Sequence, residues 1–417
     1  MFDMRNFGDL LFPLIAEHEL GLHGYNVQAV SPTGAATGLS DAMPSRPIAQ
    51  LFDPDLPCAA VVIGGGYLVH THRMDMLHEY RGLGVGACAA SSMWLGATLA
   101  AALRDVPLAW NAPGVPHPLR PSFQPLAGAA FDAADYLSLR DPGSVRMAGL
   151  VAGGPVQVVP DPVLGLARMW PKASLRGDFD RLAQRLGLTT REGILAVSVR
   201  RRSLGDVPVA AFAQDLGARC KALNLTPVMI GLGSAHSDDR IAREVSAALT
   251  AMGCPNAALD QPEQLRDIAA LIAYASAYAG SSLHGYVAAA AYGTPGLLVA
   301  RPAYRKFDGL VQHLDRDADK VNDWSQALGR LSDAICQPRT TLSSAVQNAL
   351  TQHWNQIVAA IEGGATPRRA ARLRFAALSM GEGMRQENAL WAMLPYTSAR
   401  DRAAALSGED VAHKEPF

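Results

Sequence analysis

Short apolar runs alternate with segments of helical length along most of this chain of 417 residues. In its first half, strands are predicted at 26–30, 59–63, 106–110, 136–139 and 156–159. Helices are expected between them. One begins at about Ser91, with a serine as its N-cap, and another covers 144–150. Strands that are separated by helices at this spacing form parallel βαβ units. The continuous apolar pair Val158-Val159 further predicts a strand that is covered on both faces.

The same alternation resumes in the second half. Strands are predicted at 193–199, 226–231, 275–280 and 296–300, and helices at 209–223, 238–252, 264–274, 324–335 and 342–361. The charged segment 168–190, with Pro171 and Gly177, is predicted to contain the domain boundary. We therefore expect an α/β fold with two Rossmann-like domains, 1–168 and 178–362, that face each other across a cleft. Ligands of such folds bind at the carboxyl ends of the strands.

Composition excludes some classes of protein. Lys and Arg total 37 and Asp and Glu 38, so no basic field favours binding to nucleic acid. The five cysteines are scattered without a CxxC pair and lie mostly in apolar runs, which predicts reduced, buried thiols in a cytoplasmic protein. The apolar stretch 84–103 is rich in Ala and predicts a buried helix rather than a membrane span. No signal-peptide pattern opens the chain.

The strongest candidate site is Ser281-Ser282-Leu283-His284-Gly285, between a predicted strand and an Ala-rich helix. A strand-to-helix junction of this kind binds anions, because the first N–H groups of a helix lack partners and its dipole is positive there. The two hydroxyls are candidate ligand contacts, and His284 can transfer protons near neutral pH. The junction therefore predicts a site for an anionic substrate that needs acid–base catalysis.

Cationic residues follow several other predicted strands. Arg140 stands at one strand end, where it could bind an anion or pair with an Asp to fix the loop. Three arginines, 200–202, follow the first strand of the second half, and we expect Arg200 or Arg201 to bind substrate. Lys306 lies just beyond the strand that follows the Ser/His junction and could reach the same cleft. Asp161, between two prolines, is open to either a structural or a functional interpretation.

Near the amino end, Asn6-Phe7-Gly8-Asp9 precedes an apolar helix. Asp9 could cap this helix, or it could belong to a polar loop that reaches the cleft. A parallel domain normally has a strand before such a loop, and here only residues 1–5 precede it. That strand is therefore either very short or lies outside the sequence.

The triplet Gly64-Gly65-Gly66 follows a predicted strand and could let the backbone approach a ligand at Gly65, although it is not a GxGxxG pattern. His70, His72 and His78 follow closely, but no Cys or paired carboxylates accompany them, so we expect no metal. The last segment, 363–417, is predicted to be a helical extension rich in arginine. It could pack on the body with solvated arginines, or it could dock peripherally on a membrane.

The ordered set Asn6-Phe7-Gly8-Asp9, Gly64-Gly65-Gly66, Ser138-Leu139-Arg140-Asp141, Pro160-Asp161-Pro162 and Ser282-Leu283-His284-Gly285 resembles the polysaccharide pyruvyl transferase family. The resemblance covers residues 6 to about 310. It implies a fold like the two-domain glycosyltransferases called GT-B. It also implies transfer of pyruvate from phosphoenolpyruvate onto a sugar as a ketal, on a surface polysaccharide, such as an exopolysaccharide, or its lipid-linked precursor. Such an enzyme would work in the cytoplasm, at the inner face of the membrane if the extension docks there.

Many members of that family have Arg-Leu-His-Gly at the key junction, and that arginine helps to hold the donor. This chain has Ser282 instead, so Arg140, Arg200 and Lys306 are the candidate donor contacts. His284 is the expected general acid or base, Asp9 the residue that orients the acceptor, and no metal or cofactor is required. Two alternatives stay open: a nucleotide-sugar glycosyltransferase, for which Asp308 is the nearest candidate ribose ligand, and a non-catalytic relative that binds glycan.

Overall fold

The computed structural model describes residues 1–81, 85–151, 154–188, 193–233, 237–337, 341–382 and 391–392. Its strands are β1 (Ala29–Ser31), β2 (Ser45–Pro47), β3 (Val61–Ile63), β4 (Leu108–Trp110), β5 (Ser138–Leu139), β6 (Gln157–Val158), β7 (Gly193–Ser198), β8 (Leu225–Ile230), β9 (Ala257–Leu259), β10 (Ala277–Gly280), β11 (Gly296–Val299) and β12 (Lys320–Val321).

Its helices are α1 (Phe7–Gly21), α2 (Ala89–Ser91), α3 (Ala97–Arg104), α4 (Gln124–Asp132), α5 (Pro142–Met147), α6 (Leu166–Met169), α7 (Arg176–Arg185), α8 (Arg201–Leu204), α9 (Val209–Ala222), α10 (Asp238–Ala251), α11 (Leu265–Tyr274), α12 (Leu283–Ala291), α13 (Arg305–Leu314), α14 (Trp324–Cys336), α15 (Ser344–Glu362) and α16 (Arg369–Glu382). A π-helical turn, Ser92–Gly96, joins α2 to α3.

The second half is built on one parallel sheet of six strands in the order β12-β11-β10-β7-β8-β9. Counted from its first strand, this is the doubly wound order 3-2-1-4-5-6, whose topological switch point lies between β7 and β10. The strands are almost entirely buried because helices cover both faces. The sequence predicted most of these elements, but three were missed. β9 and β12 are strands of only three and two residues, and the helix α13 has no clear sequence signal at its ends.

The first half carries shorter parallel strands. β3 pairs with β4 and β5 pairs with β6, and a bridge between Ala109 and Tyr136 links the two pairs. β1 pairs with β2 in a separate ladder. Residues 1–5 form turns rather than a strand. The α/β class with two Rossmann-like halves is thus confirmed, and the carboxyl ends of β3, β5, β7 and β10 all lead into one cleft.

Two interpretations of individual residues were wrong. Ser91 does not cap a helix, because α2 begins earlier, after Cys88, and the Ser91 hydroxyl donates a hydrogen bond back to the Cys88 carbonyl at 3.1 Å. β6 is not covered on both faces, because it is the edge strand and the Val158 side chain is 38% exposed. The five cysteines are all free thiols, but only Cys88 and Cys220 are buried.

Helices from the second half return to the first. The α15 residue His353 is buried between the Tyr136 hydroxyl (2.9 Å from Nδ1) and the Asn111 side-chain oxygen (2.8 Å from Nε2). α16 then packs against α3 and α4. Its Arg372 is buried in an ion pair with Asp135 at 2.5 Å, so this arginine is not solvated. Within the described part of this segment, the other arginines, 368, 369 and 374, are exposed. The predicted boundaries near 168, 178 and 363 stay predictions.

Within the described residues, no helix combines the length and the apolar character that a membrane span requires.

Candidate active site

A cavity of about 220 Å³ lies at the carboxyl ends of the strands, between the two halves. Its polar lining comes from both halves and includes Asn6, Asp9, Tyr67, Arg140, Arg200, His284 and Lys306. Its remaining walls are the backbone of Gly65 and Gly66 and the side chains of Met1, Met4, Leu68, Met74, Leu77 and Leu283. Most of the residues that the sequence nominated from separate segments are therefore brought together.

His284 lies in the first turn of α12, where the amino ends of two helices meet. Its ring packs edge-on against Phe12 of α1, with the ring centroids 5.6 Å apart. It also lies directly on Gly8, where a Cβ atom would come within 1.7 Å of Nδ1. Glycine is thus required at position 8 for this close approach of α1 to the imidazole. The sequence indicated His284 as functional, but only the tertiary structure shows that Gly8 makes room for it.

Asp161 accompanies His284 and is completely buried. His284 Nε2 lies 3.7 Å from Asp161 Oδ2, while Asp161 Oδ1 accepts a hydrogen bond from the backbone N–H of Val163 at 3.0 Å. Burial alone would raise the pKa of Asp161, but the close contact with His284 and the nearby charge of Arg140 lower it to about 2. This carboxylate is therefore ionised at neutral pH. Sequence reasoning noticed Asp161 but did not include it among the site residues.

Arg140 follows β5 and is almost completely buried. Its Nη1 donates to Asp161 Oδ2 at 3.3 Å, and its Nε lies 3.8 Å from Asp141. The guanidinium carbon is 4.9 Å from the centroid of the Tyr67 ring. Nε and Nη2 have no hydrogen-bond partner among the described residues. Arg140 thus pairs with aspartates, and it also keeps buried N–H groups beside the cavity, so binding of an anion stays a prediction.

Arg200 follows β7 and enters the cavity from the second half. Its backbone N–H donates to the Ser281 hydroxyl at 2.9 Å, so the first serine of the junction fixes the course of the chain at Arg200. Arg200 Nε is buried and has no partner among the described residues. Asp238, buried nearby, has a pKa raised to about 6 because burial outweighs the opposing charge of Arg200. Arg200 is therefore a second cation with unused donors in the cavity.

Three nominated residues lie outside the cavity lining. Arg201 forms an exposed ion pair with Glu244, on the far side of α8. Ser281 is buried and is used in the contact with Arg200. Ser282 precedes α12 with an extended backbone, and its side chain accepts no capping hydrogen bond. The prediction that these three side chains bind substrate therefore finds no support in their positions, because adjacent residues on a turn point in different directions.

Lys306 is brought to the site by α13, an element that the sequence did not predict. Its Nζ lies 5.1 Å from the centroid of Tyr67, 5.2 Å from Tyr304 and 5.8 Å from Phe307. Burial, with the neighbouring charges of Arg200 and Arg140, lowers the pKa of Lys306 to about 7, although Asp9 and Asp161 oppose this shift. The amine therefore changes its charge near neutral pH.

α13 also connects the two halves beside the site. His313 Nε2 contacts the Arg140 carbonyl at 3.0 Å, and Arg305 donates to the Pro116 carbonyl at 2.7 Å. A Cβ atom at Gly309 would come within 2.5 Å of the Asp141 side chain, so α13 packs closely on the loop that carries Arg140. These contacts fix the relative positions of Arg140 and Lys306.

The capping role proposed for Asp9 was wrong. Asn6 is the cap of α1: its backbone is extended, and its side-chain oxygen accepts from the Gly8 N–H at 3.2 Å. The cap must precede the first helical residue, and α1 already begins at Phe7. Asp9 lies one turn further, with its carboxylate 3.5 Å from the Met1 amino group and beside Gly66. Asp9 therefore faces the cavity, as its functional interpretation required.

Gly65 and Gly66 of the glycine triplet line the cavity, and close packing explains why glycine stands at Gly65. A Cβ atom at Gly65 would come within 2.0 Å of the Phe12 ring, the same ring that contacts His284. Gly66 has a φ of 90°, which L side chains rarely adopt. The triplet thus lets β3 end close to α1 and exposes backbone to the cavity. Tyr67, which follows it, was missed, although its place directly after the triplet was a usable signal.

Two of the histidines after the triplet, His70 and His72, lie near each other and near His117. His70 and His72 have ring centroids 5.7 Å apart, and His72 and His117 are 5.0 Å apart. Burial, followed by the charges of His72 and His117, lowers the pKa of His70 to about 4. In the part of the chain that the structure describes, no three His, Cys, Asp or Glu side chains are placed to hold a metal ion. The side chain of His78 lies outside the described residues.

The chain shows weak likeness to several solved structures. UDP-GlcNAc 2-epimerase from Neisseria meningitidis, bound to UDP-GlcNAc, is 11% identical and has a TM-score of 0.48, over 75% of this chain and 80% of that one. UDP-GlcNAc 2-epimerase from Methanocaldococcus jannaschii is 11% identical and has a TM-score of 0.45, over 65% of this chain and 74% of that one. An α,α-trehalose-phosphate synthase (UDP-forming) from Burkholderia vietnamiensis is 15% identical and has a TM-score of 0.37, over 68% of this chain and 69% of that one. We draw no functional argument from these likenesses.

Comparison with curated proteins found no match. In contrast, residues 6–302 match the sequence model of the family described as polysaccharide pyruvyl transferase. The match begins at the Asn6 cap and extends past the His284 junction, so it contains most of the polar residues that line the cavity. The chain belongs to the polysaccharide pyruvyl transferase family.

Proposed function

We propose that this protein transfers pyruvate from phosphoenolpyruvate onto two hydroxyls of a sugar, in a polysaccharide or its lipid-linked precursor, to form a ketal. One observation carries the proposal: Arg140, Arg200 and His284 line a single cavity, and each has a buried side-chain nitrogen without a hydrogen-bond partner among the described residues. Buried N–H donors are nearly always hydrogen-bonded, and unpaired ones are costly. A ligand with several anionic oxygens would satisfy them, and phosphoenolpyruvate has both a carboxylate and a phosphate.

The residues suit the chemistry of ketal formation. The methylene carbon of the donor must gain one proton, each of two sugar hydroxyls must lose one, and phosphate departs with one. His284 acts as the acid–base group, a role worth about 10²–10⁴-fold in rate. Asp161, 3.7 Å from Nε2, keeps the imidazole oriented.

The proposed anion clamp takes residues from both halves. Arg140, Arg200 and protonated Lys306 bind the carboxylate and the phosphate, and Arg140 is held for this by its pairing with Asp161. Asp9, on the amino-terminal side of the cavity, orients an acceptor hydroxyl. These assignments supply the cation that Ser282 does not provide at the junction.

The glycosyltransferase alternative lacks support from the site. Asp308, its candidate ribose ligand, is bound to Lys320 and does not line the cavity. Cytoplasmic location and peripheral docking through the exposed arginines of α16 stay predictions.

The test is binding of phosphoenolpyruvate, inorganic phosphate and UDP, measured by calorimetry and thermal unfolding. We expect phosphoenolpyruvate to bind at least about tenfold more tightly than phosphate, because it uses a second anionic group. Arg200→Ala should weaken its binding about 10- to 100-fold. Arg201→Ala is the matched control, since its side chain points to Glu244, and it should leave binding unchanged.

The outcomes separate the three functions. Stabilisation by UDP alone would replace the proposal with glycosyl transfer. Binding of phosphoenolpyruvate without release of phosphate across a panel of sugar acceptors would favour the non-catalytic relative. For catalysis, His284→Gln should keep donor binding and lose phosphate release, and full activity of that variant would refute the mechanism.

A further inference from the structure

Tyr67 lines the polar cavity and has no part in the chemistry proposed above. Its ring contacts two cations of the proposed anion clamp. The guanidinium carbon of Arg140 lies 4.9 Å from the ring centroid, and Nζ of Lys306 lies 5.1 Å from it. Both distances are in the range of a cation–π interaction, in which the negative face of the ring attracts the cation.

The ring joins the two halves of the molecule at the clamp. Arg140 follows β5 in the first half, whereas Lys306 belongs to α13 in the second. Lys306 also lies near the rings of Tyr304 and Phe307. In the part of the chain that the structure describes, however, Tyr67 is the one aromatic ring that contacts both cations. The relative position of the two clamp arms therefore depends on this side chain.

The first half holds Tyr67 and Arg140 against one short segment. The Gly114 N–H donates to the Gly66 carbonyl at 2.7 Å, and the Arg140 N–H donates to the Pro113 carbonyl at 3.2 Å. A Cβ atom at Gly114 would come within 2.5 Å of the Tyr67 ring and within 2.6 Å of Arg140 Nη2. Glycine at this position thus lets the ring and the guanidinium pack on the same backbone.

The second half presents Lys306 from the first turn of α13. The helix itself is fixed by contacts of Arg305 and His313 with backbone carbonyls of the first half. A lysine side chain is long and flexible, so contacts at its end decide where the ammonium group lies. The contacts that the structure gives to this Nζ are with aromatic rings, and Tyr67 is the ring contributed by the first half.

An aromatic contact suits a cation that must also bind a ligand. Arg140 and Lys306 repel each other, and this repulsion is one of the causes that lower the pKa of Lys306. A ring attracts both cations but uses none of their hydrogen-bond donors and adds no net negative charge. Arg140 keeps Nε and Nη2 without a hydrogen-bond partner among the described residues. A carboxylate in the place of the ring would instead occupy donors and compete with an anionic ligand.

We propose that Tyr67 is a positioning residue that sets the separation of Arg140 and Lys306, so that the cavity prefers a ligand with two anionic groups to a ligand with one. This inference rests on the function proposed above, in which these cations bind the carboxylate and the phosphate of the donor. Tyr67 acts through the two cations, and its effect is on the selectivity of binding.

The test measures selectivity as the ratio of the dissociation constants of inorganic phosphate and phosphoenolpyruvate, by calorimetry at pH 7. Tyr67→Leu keeps an apolar side chain but removes the ring. We expect it to lower this ratio about tenfold, chiefly by weakening the binding of phosphoenolpyruvate. Tyr67→Phe keeps the ring and should leave the ratio within about threefold of its original value. Tyr304→Leu is the matched control, because the Tyr304 ring contacts Lys306 at 5.2 Å and is not the ring that Arg140 contacts. It should also keep the ratio.

Two results of this comparison would overturn the role of Tyr67. One is an unchanged ratio in Tyr67→Leu. The other is an equal loss of affinity for both ligands, which would show a general change of the cavity rather than a change in the separation of the cations. Should the Leu variant fail to fold, Tyr67→Met, which is also apolar and without a ring, is judged by the same criteria.

A second measurement needs no donor. The pKa of Lys306 in the free protein is obtained from the pH dependence of its acetylation by acetic anhydride, followed by mass spectrometry. The charges that act on this amine, those of Arg200, Arg140, Asp9 and Asp161, are present in every variant. Because a ring face stabilises the ammonium form, Tyr67→Leu should lower this pKa by about 0.5–1 and Tyr67→Phe should not. An unchanged pKa in Tyr67→Leu would refute the contact. A raised pKa would refute it too, since the ring would then act only by excluding water.

The two measurements distinguish this inference from the proposed function. A protein that does not prefer phosphoenolpyruvate to phosphate would refute the proposed function. Together with a lowered pKa of Lys306 in Tyr67→Leu, that result would keep the ring as the group that positions the cation and reject only the donor. A preference for phosphoenolpyruvate that survives in Tyr67→Leu would leave the proposed function in place and refute the role of Tyr67.

Discussion

His284 Nε2 lies 3.7 Å from the carboxylate of Asp161, which is fully buried and also accepts a hydrogen bond from Arg140. A single carboxylate therefore couples the proposed acid–base residue to one arm of the proposed anion clamp. Arg140 follows β5 and Asp161 follows β6, both in the first half, whereas His284 belongs to α12 in the second half. Their contacts therefore depend on the packing of the two halves against each other.

Asp161→Asn should reduce both activity and stability. Its carboxyl pKa of about 2 is lower than the ordinary 3.8, so the native state gains stability from ionised Asp161 above about pH 4 and loses it as the pH falls toward 2. The shift corresponds to about 2 kcal/mol. We expect urea unfolding at pH 6 to show a loss of that size, and a loss that shrinks between pH 4 and pH 3.

Phosphate release should fall in the same variant by about 10²-fold or more. Asp180→Asn, which disrupts only an exposed pair with Arg176, is the control and should change stability by less than about 0.5 kcal/mol. A loss of stability in Asp161→Asn that is equal at pH 6 and pH 3 would argue against a buried ionised carboxylate.

Donor affinity should depend on pH through Lys306. Burial, together with the charges of Arg200 and Arg140, lowers the pKa of Lys306 to about 7, and the charges of Asp9 and Asp161 oppose this shift. Anionic donor would raise this pKa, so binding takes up a proton above pH 7 and affinity falls by up to about tenfold per pH unit. A phosphate monoester has its second pKa at roughly 6, so the donor itself does not titrate there.

Calorimetry between pH 7 and pH 9 measures this slope. Lys306→Arg should abolish it while keeping the charge, because guanidinium stays protonated. His284→Gln should retain it. A slope that persists unchanged in Lys306→Arg would assign the proton uptake to another group.

Gly8→Ala should displace the catalytic imidazole. The new Cβ would come within 1.7 Å of His284 Nδ1, so either the ring or α1 must move, at a cost of about 1–3 kcal/mol. Activity should fall far more than donor binding. Gly21→Ala, at the other end of α1 with nothing within 4 Å, should be neutral or stabilising in the same thermal unfolding assay. Similar losses in both variants would point to a general effect on the helix.

Arg372→Met should release α16. Removing the guanidinium leaves the buried Asp135 carboxylate with its bond to the Leu108 N–H but without its cation, which costs about 3–5 kcal/mol. Arg374→Met, on the exposed side of the same helix, should cost little. Limited proteolysis should cut α16 in the first variant and not in the second, and equal protection of both would contradict the role of the pair.

Much of the second half could be predicted from the sequence, because its strands are continuous apolar runs and its helices are long and periodic. The residues that follow these runs, such as His284 and Arg200, could be nominated because parallel strands of one sheet share a carboxyl edge, and Arg140 could be nominated in the same way in the first half. The short strands β9 and β12 and the helix α13 were missed, since two- and three-residue strands carry almost no periodic signal.

The sequence by itself determined the α/β class and the positions of polar residues directly after strands. Both can be read from neighbouring residues, since hydrophobic periodicity and the residue types at strand ends are local properties. The tertiary structure alone decided which of those residues share a cavity. It turned Arg201 toward Glu244 and buried Ser281 under Arg200, and it gave the cap of α1 to Asn6. It also brought Lys306 beside Tyr67 and Asp161 beside His284. Side-chain direction, burial and the resulting charges depend mostly on contacts between residues that are far apart in the sequence.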